Sequence, residues 1–456
     1  MTNGSPKIVI VGAGIAGVAA AYFLSVEHGC RDVVLLEADN PLSLTSDKST
    51  EAYRNWWPGP DSAMTAYMNR SIDLMEGLAQ ATGNRINLSR NGYLFASADA
   101  GKTDWLVEMS RLAEQHGAGP VRVHDSDDSE YVPKSSIDSL LTGADIITDP
   151  GLIARHFPYL NPETKVLAHA RRAGWVDAQQ LGMIMLELAR ERGATFMRAR
   201  VVDIHTTNNQ VSGVIVEQEG QRQLLPADQL VIAAGPMLKE VVALLGIEMP
   251  VVAERHLKIS LPDGRGVIPS DAPMLIWLDD QHLPWTDDER AALTADGTAN
   301  WLLDKFPGGV HCRPIGGGSS KTILGLYTYD GKPEPVVFPL REEPHYAEIV
   351  LRGLSTMVPA LREYVEKGAR PYLDGGYYVR TRENRPLIGP LPVQGAFVSG
   401  AYSGFGIMAS CAGGDLIAKH LTGSTLPDYA PAFMLSRYTD PDYLAMLDNS
   451  SEDGQL

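Results

Sequence analysis

Residues 7–17 read KIVIVGAGIAG, in which Gly12, Gly14 and Gly17 follow a β-branched apolar run and open the helix-like AAAYFLS; a second apolar run, VVLLE, ends at Glu37. This spacing suits a dinucleotide. The first glycine permits a tight strand-to-helix turn, the second lets backbone approach a pyrophosphate, and the third lets helix and strand pack closely. The N–H groups at the helix start, along Ala13, Ile15 and Ala16, then face the phosphates. Glu37, followed by Ala38, is placed to accept hydrogen bonds from the adenosine ribose, and an acid there disfavours a 2′-phosphate. The spacing alone leaves NAD and FAD both open.

A second glycine-rich turn lies near the C-terminus, where GAYSGFGIMAS leads into an amphipathic helix. Amides near Gly404, Phe405, Gly406 and Ile407 and the positive helix end can face an anion. The alternative is that these glycines only cap and pack the helix.

These motifs need elements to hold them. The first strand, helix and second strand form a βαβ unit, and a polar and aromatic loop, SLTSDKSTEAYRNWWPGPD, follows. Met64, Met68, Ile72, Met75 and Leu78 recur at spacings of four or three and predict one apolar helix stripe after Pro60. GYLFASA around Tyr93 predicts a strand. Residues 101–150 mix acidic loops with short helical segments. Leu181, Ile184, Met185 and Leu188 mark another helix, VVDI and VSGVIVEQEG a β-meander, and residues 228–237 a buried strand running into Gly235 and Pro236. Residues 251–329 alternate as an antiparallel sheet, with residues 280–322, including Gly316, Gly317 and Gly318, read as loop. The terminal DNSSEDGQL reads as a disordered tail.

With 456 residues, 44% hydrophobic and 21% charged, the chain has the balance of a folded protein and length for two or three domain-sized units. Its formal charge of −17 argues against nucleic acid or anionic membrane as partners. Cys30, Cys312 and Cys411 are an odd number without a CxxC pair, so neither a disulfide framework nor a zinc site is expected. No apolar stretch is long enough to span a bilayer, and the short polar leader reaches glycine too soon for a secretory signal; a cytoplasmic location is the expectation.

Four separated blocks resemble the DAO superfamily of FAD-dependent oxidoreductases, the D-amino acid oxidase, sarcosine oxidase and glycine oxidase group. They are VGAGIAG with LLEAD, the loop TSDKST, the segment from GWVDAQQL through ARVVDI and VIAAGPM, and GGYYVRTRENRPLIGP with FVSGAYSGFGIMASCAGGDLIAKHLTG. The resemblance implies an α/β fold: a discontinuous Rossmann-like FAD-binding domain at 6–92, 170–236 and 374–437. An α+β substrate domain with an antiparallel or mixed sheet is inserted at 93–169 and 237–373, and 438–456 form a tail. It implies FAD held by the glycine-rich turns, by Ser46, Ser49 and Thr50 in a loop around the flavin, by the Val201 backbone and by Ala234 and Gly235. No cysteine stands in GGYYVRT and no histidine in SDKST, the places where relatives attach FAD, so the cofactor is expected to be non-covalent.

The implied reaction is oxidation of a C–N bond in a small amine or amino acid by hydride transfer to flavin N5, the imine product then hydrolysing. Electrons would pass on to O2 or another acceptor. Arg54 stands where sarcosine-oxidase-like members place a carboxylate-binding arginine, and a guanidinium fork matches a carboxylate, although an inter-domain salt bridge is the competing role. Tyr378, Arg380 and Lys258 are the other leading substrate-side candidates. Tyr53, Trp56, Trp57, His256, His311, Tyr327 and Arg382 complete the set. Oxidation of a 2-hydroxy acid or glycerol phosphate, and a FAD-containing assembly factor, remain the alternatives. Oligomerisation is open.

Overall fold

The computed structural model describes residues 6–133, 139–315, 321–341 and 343–449. Two sheets organise it. The first has six strands in the order Leu387–Pro390, Ala396–Gly400, Gln229–Ile232, Ile8–Val11, Val33–Glu37, Thr195–Arg198. All its pairings are parallel except the Leu387–Pro390 edge, with Ile8 opposite Gln229 on one side and Val33 on the other. Continuous IVIV and VVLL runs suit strands covered on both faces. Ile8, Ile10, Val33 and Leu35 pack beneath helices, whereas Val9, Val11, Val34 and Leu36 pack against the three-stranded meander of Arg200–Thr207, Gln210–Gln218 and Gln221–Pro226.

Helix Ile15–Tyr22 follows the first glycine turn and crosses helix Gly406–Thr422 so closely that a Cβ on Gly414 would lie 2.7 Å from the Ala19 backbone. Helix Ala63–Ala81 buries Met64, Met68, Ile72, Met75 and Leu78 in the same core. Helix Ala178–Glu191 buries Leu181, Ile184 and Met185, with Leu188 at its margin.

The second sheet is mixed and has nine strands, in the order Tyr372–Arg380, Val252–Pro262, Thr322–Leu326, Val310–Ile315, Met274–Trp277, Tyr93–Ser97, Val166–Ala170, Ala144–Ile147, Val121–His124. Helix Tyr346–Met357 packs on one face over Ile259, Leu275, Cys312 and Ile323. A short ladder between Ala52–Arg54 and Ala173–Trp175 carries the chain between the two bodies. The α/β class with a mixed-sheet second body therefore holds.

Three expectations differ. Strand Tyr372–Arg380 pairs along its length with Val252–Pro262, so residues from 374 to 380 belong to the nine-stranded sheet, not to the FAD-binding stretch expected to start there. Residues 280–322 hold a helix, Asp287–Asp296, and a strand, Val310–Ile315; Thr286 and Glu289 form a capping box, a signal readable in the sequence but outweighed by the polar composition around it. Gly316, Gly317 and Gly318 lie outside the described residues. The expected tail begins with helix Pro441–Asn449, anchored where Tyr438 and Tyr443 donate to the Glu383 carboxylate; residues 450–456 lie outside the described residues.

Candidate functional site

The first glycine turn is fixed by space as much as by conformation. Gly12 has φ +101°, and a Cβ there would overlap the Ala233 carbonyl. A Cβ on Gly17 would overlap the Gly12 carbonyl, so those two glycines, with fully buried Ala13, form the underside of the turn. Gly14 faces outward, its nearest neighbour being Ser46 Oγ at 3.3 Å from a Cβ position. The helix after it carries no side-chain cap on Gly14, and Ser46 Oγ accepts from the Ile15 amide at 2.9 Å. The Glu37 carboxylate accepts from Ala13 N at 2.8 Å and Asp39 N at 3.0 Å, which braces the turn from below.

Two cavities meet at this turn. One, of about 370 Å³, is lined by Glu37, Ala38, Val201, Ala234 and Gly235. The other, of about 80 Å³, is lined by Gly14, Ile15, Ala16, Ser46, Ser49, Tyr378, Gly404, Gly406 and Ile407. Gly14, Thr45, Ser46, Ala233, Gly235 and Pro236 border both, so the two make one elongated cleft. Its far end is the turn before helix Gly406–Thr422, where Ala401 at φ 56° and Ser403 at φ 50° hold left-handed backbone and no side chain caps the helix. Two helix starts, one whose Ile15 amide is held by Ser46 and one with no side-chain cap, thus open on one cleft, which fits a ligand with an anionic middle and an electron-rich end. Phe405 lies behind this wall, its ring 5.2 Å from Trp57.

The loop 45–51 closes the cleft. It is held from the nine-stranded sheet by cations: Lys258 Nζ donates to Asp47 O at 2.9 Å and Ser49 O at 3.2 Å, while Arg313 donates to the Thr50 carbonyl and to Glu51 Oε2 at 2.6 Å. Glu51 has φ 57°. Burial raises its pKa against the opposing pull of Arg313 and Lys258, and burial lowers both cations. Thr50 therefore contributes its carbonyl to this brace and does not line either cavity. Sequence reasoning missed this brace, because Arg313 lies 262 positions from Glu51 and no local pattern links them.

The substrate-side candidates divide. Arg54 is 6% exposed, its guanidinium 4.9 Å from the Trp57 ring centre, 5.6 Å from Tyr93, 5.7 Å from Phe95 and 6.0 Å from Trp56. Burial lowers its pKa. His311 Nδ1 lies 2.9 Å from the Gly309 carbonyl, which can only accept, so Nδ1 carries the proton and Nε2 is left as an acceptor. Burial above all, then the His256 and Arg54 charges, outweigh that bond and bring His311 down to about 4. Tyr378 lines the cleft and stacks on His256, with ring centres 4.0 Å apart. His256 also meets Thr328 Oγ1 at 3.1 Å and Glu254 at 3.7 Å.

Others do not converge here. Arg380 places its guanidinium on Glu254 at 2.6 Å, and hydrogen bonds from His256 and Arg380 hold that acid at about 2. Arg382 pairs with exposed Asp448 at 2.8 Å. Tyr53 donates to Ser89 O and Trp56 to Ser110, which are packing roles. Tyr327 donates to Pro307 O and lines a different cavity. Phe338 reaches the larger cofactor cavity from a loop of the second body, again without a local signal. Among the described residues no cluster of His, Cys, Asp and Glu could hold a metal, and no helix is long and apolar enough to cross a membrane.

A family model described as FAD dependent oxidoreductase (DAO) matches residues 7–420. The chain is 25% identical over 263 residues to 4-methylaminobutanoate oxidase (formaldehyde-forming) of Paenarthrobacter nicotinovorans, covering 58% of this chain and 28% of that protein. It is 28% identical over 253 residues to human mitochondrial dimethylglycine dehydrogenase, covering 55% and 25%. The chain thus spans about a quarter of the length of these curated relatives. In fold it superposes on L-proline dehydrogenase from P. horikoshii with a TM-score of 0.72 at 19% identity, covering 95% of this chain and 98% of the other.

Proposed function

The chain belongs to the DAO family of FAD-dependent oxidoreductases, and from that premise we propose that it oxidises a C–N bond of a small amine or amino acid. The carrying observation is that Tyr378 lines the cofactor cleft and stacks on His256, so polar side chains of the nine-stranded sheet wall one side of that cleft. The relatives' names support the substrate class: 4-methylaminobutanoate, dimethylglycine and L-proline are each a secondary or tertiary amine that also carries a carboxylate.

FAD, when bound, supplies a two-electron hydride acceptor. The residues would hold it as the cleft suggests, with the adenosine end against Glu37, Ala38 and Val201 and the ring end against Ser46, Ser49, Gly404, Gly406 and Ile407. Neither cavity is lined by a cysteine or histidine, which supports non-covalent retention. The uncapped helix start at Gly406 favours negative charge developing beside it. On the substrate side, Arg54 would take the carboxylate in a desolvated aromatic box, where a fork of donors counts most. His311 Nε2, neutral above about pH 4, would accept a hydrogen bond from the amine and help orient its C–H.

The test is anaerobic titration of the purified flavoprotein with N-methyl amino acids, L- and D-amino acids, 2-hydroxy acids and polyamines, watching the flavin band. Bleaching by amines is expected; bleaching by hydroxy acids alone, or by nothing, would move the assignment to the 2-hydroxy-acid or assembly-factor reading. Arg54→Met should raise KM for carboxylate-bearing amines about 10- to 100-fold, the worth of a charge-assisted hydrogen bond.

A further inference from the structure

The nine-stranded body holds a cavity of about 510 Å³ that the cofactor cleft does not include. Its wall is aromatic, with Trp301, Phe306, Tyr327, Tyr329 and Tyr346. Trp301 is 38% exposed, unusual for so large an apolar ring, and stacks on Tyr329 at 6.3 Å and 28°. The cavity is also acidic in its uncommitted charge. Its Arg255 is paired to Glu334 and Glu343, and its Lys305 to Asp280, whereas Asp304 makes no ion pair among the described residues. A part-exposed indole in an aromatic wall, beside an uncommitted carboxylate, is the chemistry that binds an alkylated ammonium ion, because the ring quadrupole attracts the cation and apolar contact covers its methyl groups.

The position matters as much as the lining. His256 lines this cavity, and the Tyr378 ring stacked against it lines the cofactor cleft, so one partition two rings thick separates the chambers. We propose that the aromatic chamber is a capture site for the alkylammonium form of the amine substrate. This rests on the amine-oxidation reading above. An aliphatic amine of ordinary pKa near 10 arrives as a cation at neutral pH, and the outer chamber suits that form. The cavity and its aromatic wall therefore suit the amine in the charge state in which it arrives.

The probe is tetramethylammonium, which has no lone pair to oxidise, with tert-butanol as its uncharged counterpart of similar size. Both are titrated into the FAD-loaded protein by calorimetry and by tryptophan fluorescence. Tetramethylammonium should bind, and affinity should fall about tenfold in Trp301→Leu and several-fold in Asp304→Asn, as loss of a cation–π contact and its counter-charge would give. Flavin content in both variants should match the parent, which guards against misfolding. With an amine substrate, Trp301→Leu should raise KM and leave kcat unchanged. Binding that neither substitution weakens, or that tert-butanol equals, would overturn the capture site. Tetramethylammonium held through Trp301 and Asp304 in a protein whose flavin no amine bleaches would instead sink the oxidation reading and leave the chamber standing.

Discussion

Along the cofactor cleft the surface is largely backbone: glycines without room for a Cβ, left-handed turns at Ala401 and Ser403, and a helix start at Gly406 that no side chain caps. On the substrate side the candidate groups are side chains: His256, His311 and Tyr378 on the nine-stranded sheet and Arg54 on the short ladder beside Ala173–Trp175, delivered by separate segments of the chain. A backbone-built site constrains consecutive residues, because each turn dictates which neighbours are tolerated. A side-chain-built site constrains only register across strands, so it can be rewritten one residue at a time. That difference fits a fold that keeps its cofactor and changes its substrate.

The two regions join at the Glu51–Arg313 pair, and breaking it should produce the largest effect. Arg313→Met leaves the Glu51 carboxylate buried without its partner, a situation worth about 3–5 kcal/mol in loss of stability. The Glu51→Gln, Arg313→Met double variant should recover most of it, as measured by urea unfolding of the FAD-loaded protein. If the single variant is as stable as the parent, the Glu51–Arg313 pair does not hold the loop and Lys258 alone carries the brace.

Next comes a substitution confined to the backbone-built side. Gly17→Ala forces a Cβ into the Gly12 carbonyl, and overpacking of this kind costs about 1–3 kcal/mol. It should also distort the turn facing the phosphates, so the purified variant should lose its flavin absorbance. Retention of full flavin would show that the turn yields more easily than its packing suggests.

How much of each region was legible follows from the same contrast. Gly12, Gly14, Gly17 and Glu37 could be read directly because strand, turn, helix and acid lie within one βαβ unit. The segment Tyr372–Arg380 was noticed only as part of a block resembling the family, and neither the strand nor its sheet was read, since only pairing with Val252–Pro262 shows which body owns it. Arg380 was a reasonable guess from its place in that block; Glu254, 126 positions away, redirects it. Arg313 and Phe338 carried no signal at all, because each acts across the join between the bodies.

A pH measurement sharpens the side-chain region. His311 titrates near 4 in the folded chain against 6.5 ordinarily, so as pH falls the unfolded chain takes up the proton first. Its contribution is fully present above about 6.5 and is lost between there and about 4. His169, brought down to about 3 chiefly by burial, acts in the same direction. His311→Gln should therefore unfold at a temperature less sensitive to pH across that window, the difference from the parent being greatest at its acid end. An unchanged slope would mean that His311 sits in water and does not belong to a desolvated pocket.

The smallest expected effect tests where the pocket stops. Arg380 and Arg382 lie two positions apart, yet one is committed to nearly buried Glu254 and the other to an exposed carboxylate on the terminal helix. An exposed pair of that sort contributes within about 0.5 kcal/mol, so Arg382→Ala should leave unfolding, flavin content and amine KM unchanged. Suppose instead that KM rose more than about threefold while kcat held, the mark of lost ground-state binding. The Asp448 contact would then be a resting position for a side chain that turns toward the substrate, and the boundary drawn at Glu254 would have to move outward to include the C-terminal helix.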